Sequence, residues 1–416
     1  MQDSTSPKGR RKGWKIALVA AICLVVVGGG VGAAATAGTW LGTGNGAPPP
    51  APASVTPTRT LPPVEPVALT VTPKNDATFI NPADPVVARA DHGTLTHVVL
   101  KVTDTGESLD GELSADGATW KAKDRLAFDT NYTFDITAED ANGVPVTRRS
   151  TFSTVPPSNE ANAFVYPNGD FTVGVGQPLE FTFSEPVTNK AAVEKAIRIT
   201  AGSGQKGAFR WYSDTMARYR PAEFWAANTK IKVDMDLFGV DFGNGQIGNF
   251  SNSTTIQVGN KVELVADAAN HVADVYINGA LARHFLVTMG DERFPSASGY
   301  LVLLNDKQRK AHFVASTIGL KPGDPADYGE VDVNYATRLT PSGEFIHQAT
   351  DSAVPFIGQV NLSHGCIGMD AAGASWVFQN MGPGDLVHVV NSPAETIAPT
   401  DGFGDWNIPF NQYASR

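Results

Sequence analysis

The chain has two cysteines in 416 residues, and only Cys366 stands among polar and glycine neighbours, in Ser363-His364-Gly365-Cys366-Ile367-Gly368-Met369. Cys23 lies inside an uncharged N-terminal run. His364 comes two residues before Cys366, and His347 ends the segment Glu344-Phe345-Ile346-His347 nineteen residues upstream. A thiol with a histidine at hand is a candidate nucleophile, because the thiolate attacks an acyl carbon and the imidazole moves the proton. Spacing alone leaves a second reading open, a buried and inert cysteine that packs as a small hydrophobe. Gly365 and the polar residues before it weigh against a plain core strand.

The compartment favours the nucleophile. Residues 1–15 carry +4, which leaves −14 on the rest of a chain whose formal charge is −10. An acidic body argues against nucleic-acid binding, which needs a basic face. The 23 residues Ile16–Gly38 are uncharged and long enough to span a bilayer, with the basic cluster expected on the cytoplasmic side. A signal peptide cleaved near Ala35-Thr36-Ala37 is the competing reading. A lipoprotein through Cys23 is weaker, because Ile22 is bulky where processing needs a small residue. Each reading places the body outside the cytoplasm, where an unpaired thiol is unusual.

The elements that must position these groups read as strands. Hydrophobic residues are 42% and charged residues 18%, enough for real cores, while 41 Gly and 28 Pro point to turns rather than long helices. The spacing divides the chain into the basic segment 1–15, the apolar run 16–38, a Pro-rich linker 39–66, two immunoglobulin-like β units at 67–157 and 158–258, a third β-rich domain at 259–392 and a tail at 393–416. Val98, Leu100 and Val102, then Tyr132, Phe134 and Ile136, alternate with polar residues in the first unit. Leu179, Phe181, Phe183 and Ile231, Val233, Met235, Leu237 do so in the second. A short helix is expected after Thr188, with Ala191, Ala192, Ala196 and Ile197 on it. Asn142-Gly143 and Asn278-Gly279 are hairpin turns. In the third domain Tyr300–Asn305 and Ala311–Ser316 are expected to pair. The Gly-, Pro- and Asp-rich stretch Thr317–Gly343 reads as an irregular lid. Asp370 should cap a helix running to about Met381, before a last strand at Leu386–Val390.

The pairing of Phe345-Ile346-His347 with Ser363-His364-Gly365-Cys366-Ile367, followed by Gly384-Asp385-Leu386-Val387, resembles the L,D-transpeptidase family, whose catalytic module is the YkuD domain. The whole layout, with a tail reading Asp401-Gly402-Phe403-Gly404-Asp405-Trp406-Asn407-Ile408-Pro409, is similar to the multidomain members of mycobacteria and related actinobacteria. The implied fold is mainly β: two immunoglobulin-like sandwiches, then a YkuD-type β-rich domain with a short helix after the cysteine motif. The implied activity is peptidoglycan cross-linking without a cofactor or metal. Cys366 attacks the bond between residues three and four of a tetrapeptide stem, D-Ala leaves, and an amine of a second stem resolves the thioester into a 3→3 link. Carbapenems acylate such enzymes. The partners implied are stem peptides, β-lactams and, through the N-terminal segment, the membrane.

On this reading His347 is the proton-transfer partner, because its strand should lie beside the motif, and His364 shapes the site and stabilises charge. Backbone N–H groups around His364, Gly365 and Cys366, with Ser363 in the motif, form the oxyanion site. A nearby histidine and the N-terminus of the helix after Asp370 should lower the thiol pKa. Tyr328 matches a substrate-binding position of the family. Two substrate-side positions depart from the pattern. Gly368 stands where many members have Arg, or Asn in the mycobacterial branch, and Gln348 follows the histidine where close relatives have Ser. No Lys or Arg occurs between Arg338 and Arg416; Glu344, Asp351, Asp370 and Asp385 there suit a substrate ammonium, with chance placement of charge as the alternative. A sortase-like enzyme is the rival, although it needs an arginine downstream of the cysteine and only Arg416 follows. A weak or inactive wall-binding scaffold is the non-enzyme alternative.

Overall fold

A computed structural model describes residues 65–169 and 171–415. The apolar run at 16–38 and the linker up to residue 64 lie outside the described residues. Among those described, no helix is long and apolar enough to cross a membrane.

Residues 68–154 form a four-stranded and a five-stranded sheet. Alternation sends Leu100, Tyr132, Phe134 and Ile136 inward from one sheet and Ala88, Ala90 and Trp120 from the other, and together they make the core. Residues 160–258 repeat the arrangement with two four-stranded sheets and a small third one. Phe181, Trp225, Val233 and Met235 lie at their centre. The short helix there is Lys190–Ala196. Its buried residue is Val193, and Ile197 already opens the next strand.

The third domain is one nine-stranded sheet. Its strands are β1 Val262–Asp267, β2 Val272–Ile277, β3 Ala280–Thr288, β4 Gly299–Val302, β5 Lys307–Val314, β6 Glu330–Arg338, β7 Phe345–Gln348, β8 Ile367–Met369 and β9 Leu386–Val390. The order across the sheet is β4-β9-β1-β2-β3-β8-β7-β6-β5. Asn278 and Gly279 both take positive φ (50° and 84°), so the β2–β3 connection is the tight hairpin their sequence demands. Strands β4 and β5 do not pair with each other, contrary to expectation: β4 pairs with β9 and β5 with β6, at opposite edges. The chain between them reaches about 17 Å at most, whereas eight inter-strand steps in a flat sheet would cover about 38 Å. The sheet therefore curls round on itself.

The expected lid is also shorter than its composition suggested. Glu330–Arg338 is a regular strand, with Val331 and Val333 on its inner face. Its period is broken at Tyr335, whose φ is 56°, so two successive residues, Ala336 and Thr337, are buried. That break, beside a Gly/Pro-rich loop, hides the strand from a search for alternation. What remains irregular is the segment of a 3-10 turn, Ala315–Ile318, and the loop to Gly329.

After the motif, Asp370 caps helix α1, Ala371–Asn380, by accepting the Gly373 N–H at 2.6 Å. Lys307 closes the other end, donating to the Phe378 and Met381 carbonyls.

The tail ties this domain to the second immunoglobulin-like unit. Arg218 is held between Glu180 and Asp405, at 2.8 Å from each, and Tyr212 donates to Asp405 at 2.7 Å. Trp406 donates to the Gly176 carbonyl, and the Asn407 side chain bonds both backbone groups of Tyr300 in β4. Asp401 accepts from the Ser342 amide at 2.8 Å, just before β7. Asp405→Ala leaves a buried guanidinium with one of its two carboxylate partners. It should lower unfolding stability by about 3–5 kcal/mol in urea titrations, and Asp405→Asn, which keeps the Tyr212 contact, should lose less.

Candidate active site

Strands β7 and β8 run parallel, with Ile346 opposite Ile367 and His347 opposite Gly368. Side chains alternate along a strand, so Phe345, His347, Cys366 and Gly368 project from one face, while Glu344 and Ile346 project from the other. His347 lies diagonally across from Cys366, a separation of about 7–8 Å between backbones that a long side chain bridges. Both line one cavity of about 640 Å³, together with Tyr328, Arg338, His364 and Gly368.

The turn before β8 is fixed from behind. Gly365 takes φ 105°, and its carbonyl accepts from Ser296 Oγ at 2.7 Å. Ser363 Oγ donates to the Cys366 carbonyl at 2.5 Å. The approach to the turn is held by Asn361, which accepts the Met289 N–H at 2.9 Å and donates to the Ala268 carbonyl at 2.8 Å. With its carbonyls so occupied, the turn presents the sulfur and its own peptide edge to the cavity.

Nδ1 of His347 lies 2.7 Å from the Gln348 carbonyl oxygen. A carbonyl only accepts, so Nδ1 carries the proton and the neutral ring keeps its lone pair on Nε2. Burial lowers the His347 pKa and keeps the ring neutral. Phe313 packs edge-on against the ring, 5.5 Å between centroids. Gln348 therefore serves the histidine through its backbone. Its side chain bonds Asn334 Nδ2 at 3.2 Å and does not line the cavity.

The thiol differs from the sequence expectation. Burial pushes Cys366 up to about 12, the Glu344 carboxylate adds to the rise, and the Phe345 backbone and Arg338 only partly offset it. The helix that was to lower it is a three-residue strand away, and Asp370 already occupies its N-terminus. The neighbouring histidine is itself kept neutral. The resting state is thus a neutral thiol, directed at the Gly343 carbonyl at 3.7 Å, beside a neutral imidazole.

His364 faces the loop rather than the sulfur's base. Its Nε2 lies 2.9 Å from the Ala326 carbonyl, and its ring packs between Phe294 (4.7 Å) and Tyr328 (5.1 Å). It ties the motif to the segment covering the cavity, and its Nε2–H is taken by that bond. Burial, with the thiol and Asp327 adding, raises the Tyr328 hydroxyl pKa. Gly368 forms floor beside His347. A Cβ there would sit 2.9 Å from Thr288 Cγ2, so any side chain requires Thr288 to move.

The acidic-site expectation fails. Glu344, Asp351, Asp370 and Asp385 do not line the cavity. Asp370 caps α1, and Asp385 accepts the Gly382 N–H at 2.8 Å while burial pushes it up to about 7. Among the described residues the carboxylate at the cavity is Glu330, 3.4 Å from His312. Phe313, Arg338 and Thr288 belong to the site and carry no motif. Only their places mark them: Thr288 on β3 and Arg338 on β6 flank β8 and β7, and Phe313 lies one strand further out on β5.

The family of L,D-transpeptidase catalytic domains matches residues 261–389, and that of bacterial Ig domains matches residues 77–241. L,D-transpeptidase 2 of Mycobacterium tuberculosis is 34% identical over 345 residues, covering 83% of this chain and 83% of its own length. L,D-transpeptidase 5 of the same species is 27% identical, covering 85% of this chain and 77% of its own. A solved LD transpeptidase, LdtMt1 in complex with imipenem, is 30% identical over 55% of this chain and 97% of its own, with a TM-score of 0.47. The chain carries a β-rich transpeptidase domain behind an Ig-like region. It belongs to the L,D-transpeptidase family.

A neutral resting thiol has a direct readout. Alkylation of Cys366 by iodoacetamide should be at least ~100-fold slower at pH 7 than for free cysteine, and should keep rising beyond pH 9. A plateau at or below pH 7 would show a preformed thiolate instead.

Proposed function

We propose that this chain forms 3→3 cross-links in peptidoglycan through a Cys366 thioester, outside the cytoplasm, with His347 as general base and then general acid. The observation that carries this is the His347–Gln348 bond, which aims a lone pair from Nε2 into the cavity that Cys366 shares. With the thiol at about 12, preforming a thiolate at pH 7 would cost about 7 kcal/mol. Proton removal during attack is the lower path. As sulfur bonds to the carbonyl carbon of stem residue three, Nε2 takes the thiol proton. The carbonyl oxygen becomes an oxyanion facing the peptide edge of His364, Gly365 and Cys366, where Gly365 opens the backbone. Collapse breaks the C–N bond, Nε2–H protonates the departing D-Ala amine, and the thioester remains.

The acceptor amine then attacks the thioester, gives its proton to Nε2, and the sulfur leaves and recovers that proton. The bond formed is an amide, and the enzyme is regenerated. Tyr328 and Gly368 line the donor and acceptor space. Gln348 acts through its carbonyl, which differs from a substrate-contacting role for its side chain. His364 and Ser363 hold the turn. A β-lactam carbonyl meets the same nucleophile, so a carbapenem is a covalent inhibitor on this reading. The scaffold reading has only Gly368 and Gln348 in its favour. The intact carbonyl-to-imidazole bond removes the objection from Gln348.

Imipenem, the ligand of the solved relative, is the probe. Intact-mass spectrometry should show one adduct on the wild-type protein and none on Cys366→Ala. His347→Ala should slow acylation by ~10²–10⁴-fold while the fold persists. Absence of an adduct on folded wild-type protein would sink the catalytic reading in favour of the scaffold. With disaccharide tetrapeptide as substrate, the product should gain one stem and lose one D-Ala.

A further inference from the structure

Glu344 is a half-buried residue whose carboxyl the mechanism above does not use. It immediately precedes Phe345 and projects from the face of β7 opposite the thiol, underneath the nucleophile turn. Its Oε1 accepts the Ala297 N–H at 3.0 Å. Ala297 follows Ser296, whose Oγ donates to the Gly365 carbonyl at 2.7 Å and accepts the Gly290 N–H at 3.0 Å. Ser392 donates to the Ser296 carbonyl. The carboxyl also abuts Gly365 directly: a Cβ on that glycine would lie 3.2 Å from Oε1 and 3.4 Å from Cγ. Glu344 thus anchors the segment that pins Gly365 and touches the turn itself.

Loss of water around the Glu344 carboxyl leaves its proton labile near neutrality. Burial pushes it up to about 7, the Ala297 N–H opposes the rise, and Asp401 on the tail adds to it. On the other side of the strand stands Cys366, whose own ionisation the Glu344 charge opposes. Among the described residues, Arg338 on β6 is the cation that acts on that thiol. Its guanidinium is already bound to Asp306 at 2.6 Å and lies over the Phe345 ring, 4.3 Å from the centroid.

We propose that Glu344 is a positioning residue for the nucleophile turn and a charge switch on Cys366. Protonated, it holds the turn and leaves the thiol free to give up its proton; ionised, it holds the turn and opposes the developing thiolate. This rests on Cys366 being the nucleophile. The carboxyl bonds the Ala297 amide in either protonation state, since both present an acceptor oxygen. Only the charge changes. Acylation is therefore favoured on the acid side of neutrality, down to the pH at which His347 itself takes a proton.

Glu344→Gln separates the two roles, because its amide oxygen still accepts from Ala297 but cannot ionise. In the purified full-length protein, the rate of imipenem acylation should match wild type within about twofold at pH 5.5. At pH 8 it should exceed wild type by roughly three- to tenfold, one pKa unit being a factor of ten. Glu344→Ala should be slower than wild type at both pH values. An unchanged pH profile in Glu344→Gln overturns the switch, and a Glu344→Ala variant as fast as wild type at pH 5.5 overturns the positioning role. Iodoacetamide alkylation at pH 9 reads the coupling without acyl transfer and should be faster in Glu344→Gln. If wild type fails to acylate, the catalytic reading falls while alkylation still decides the switch. Should the Gln variant not fold, the ¹³C carboxyl resonance of Glu344 in wild type decides it: a midpoint near 7 supports the switch, and one near the ordinary glutamate value overturns it.

Discussion

Parallel pairing of β7 with β8 is the constraint on which the site depends. Two strands carrying a base and a nucleophile can meet antiparallel through a short turn, but parallel strands need a long crossover. Here the crossover is residues 349–366, and it ends in the motif turn. The register that puts His347 opposite Gly368 sets His347 and Cys366 on one face with a residue that has no side chain between them and the cavity floor. A slip of one residue would send one of the two into the opposite core, where Ile346 and Ile367 are fully buried. Those isoleucines enforce the register hydrophobically, and so they align the imidazole with the thiol.

Burial follows from that placement and decides the electrostatics. A thiol and an imidazole set into the wall of a curled sheet lose their water, and desolvation moves both toward their neutral forms. An ion pair at rest would need a further charge to stabilise it. The nearby candidates are spent elsewhere: Arg338 on Asp306, and the α1 N-terminus on Asp370. On the proposed mechanism charge develops only as a bond forms, at a place where the turn's peptide edge is fixed by Ser296 and Ser363 from behind. Stabilisation that exists only for the developing charge speeds the reaction, whereas a stabilised resting thiolate would be a weaker nucleophile.

The fold class was legible in residue patterns wherever one period ran unbroken. Tyr132, Phe134 and Ile136 alternate without interruption and are all buried, and Asn278-Gly279 admits few conformations other than the turn it makes. Strand β6 was hidden because Tyr335 adopts a left-handed conformation and breaks the period in the middle. The wrong partner for β4 has a different cause: adjacency in sequence favours pairing, and only pairing of β4 with β9 and of β5 with β6 puts the two neighbours at opposite edges. In the site, Cys366, His347, His364, Gly365 and Tyr328 could be named because their chemistry or motif marks them. The thiol pKa could not be inferred, since neighbours in sequence say little about desolvation. Nor could the fate of the acids, because a carboxylate at a helix cap and one at a cavity look alike until the backbone is placed.

The second immunoglobulin-like unit bears on the site through backbone contacts that a side chain would block. The Gly174 and Gly176 amides donate to the Pro383 and Gly384 carbonyls at 2.8 and 2.9 Å, and a Cβ at Gly174 would overlap the Gly384-Asp385 peptide. Hydrogen bonds this close, with Leu386, Val302 and Phe403 sharing that unit's apolar core, leave no slack between the unit and β9. The tail adds a second attachment, from Arg218 through Asp405 to Asn407, which bonds Tyr300 of β4, and Asp401 carries it to Ser342 at the entrance to β7. Residues 291–298, which hold the underside of Gly365, lie just before β4 on the same side of these attachments. The unit thus acts as part of the frame that sets the turn, so loosening its contact with the tail should reach Cys366 through Ser342 and Glu344.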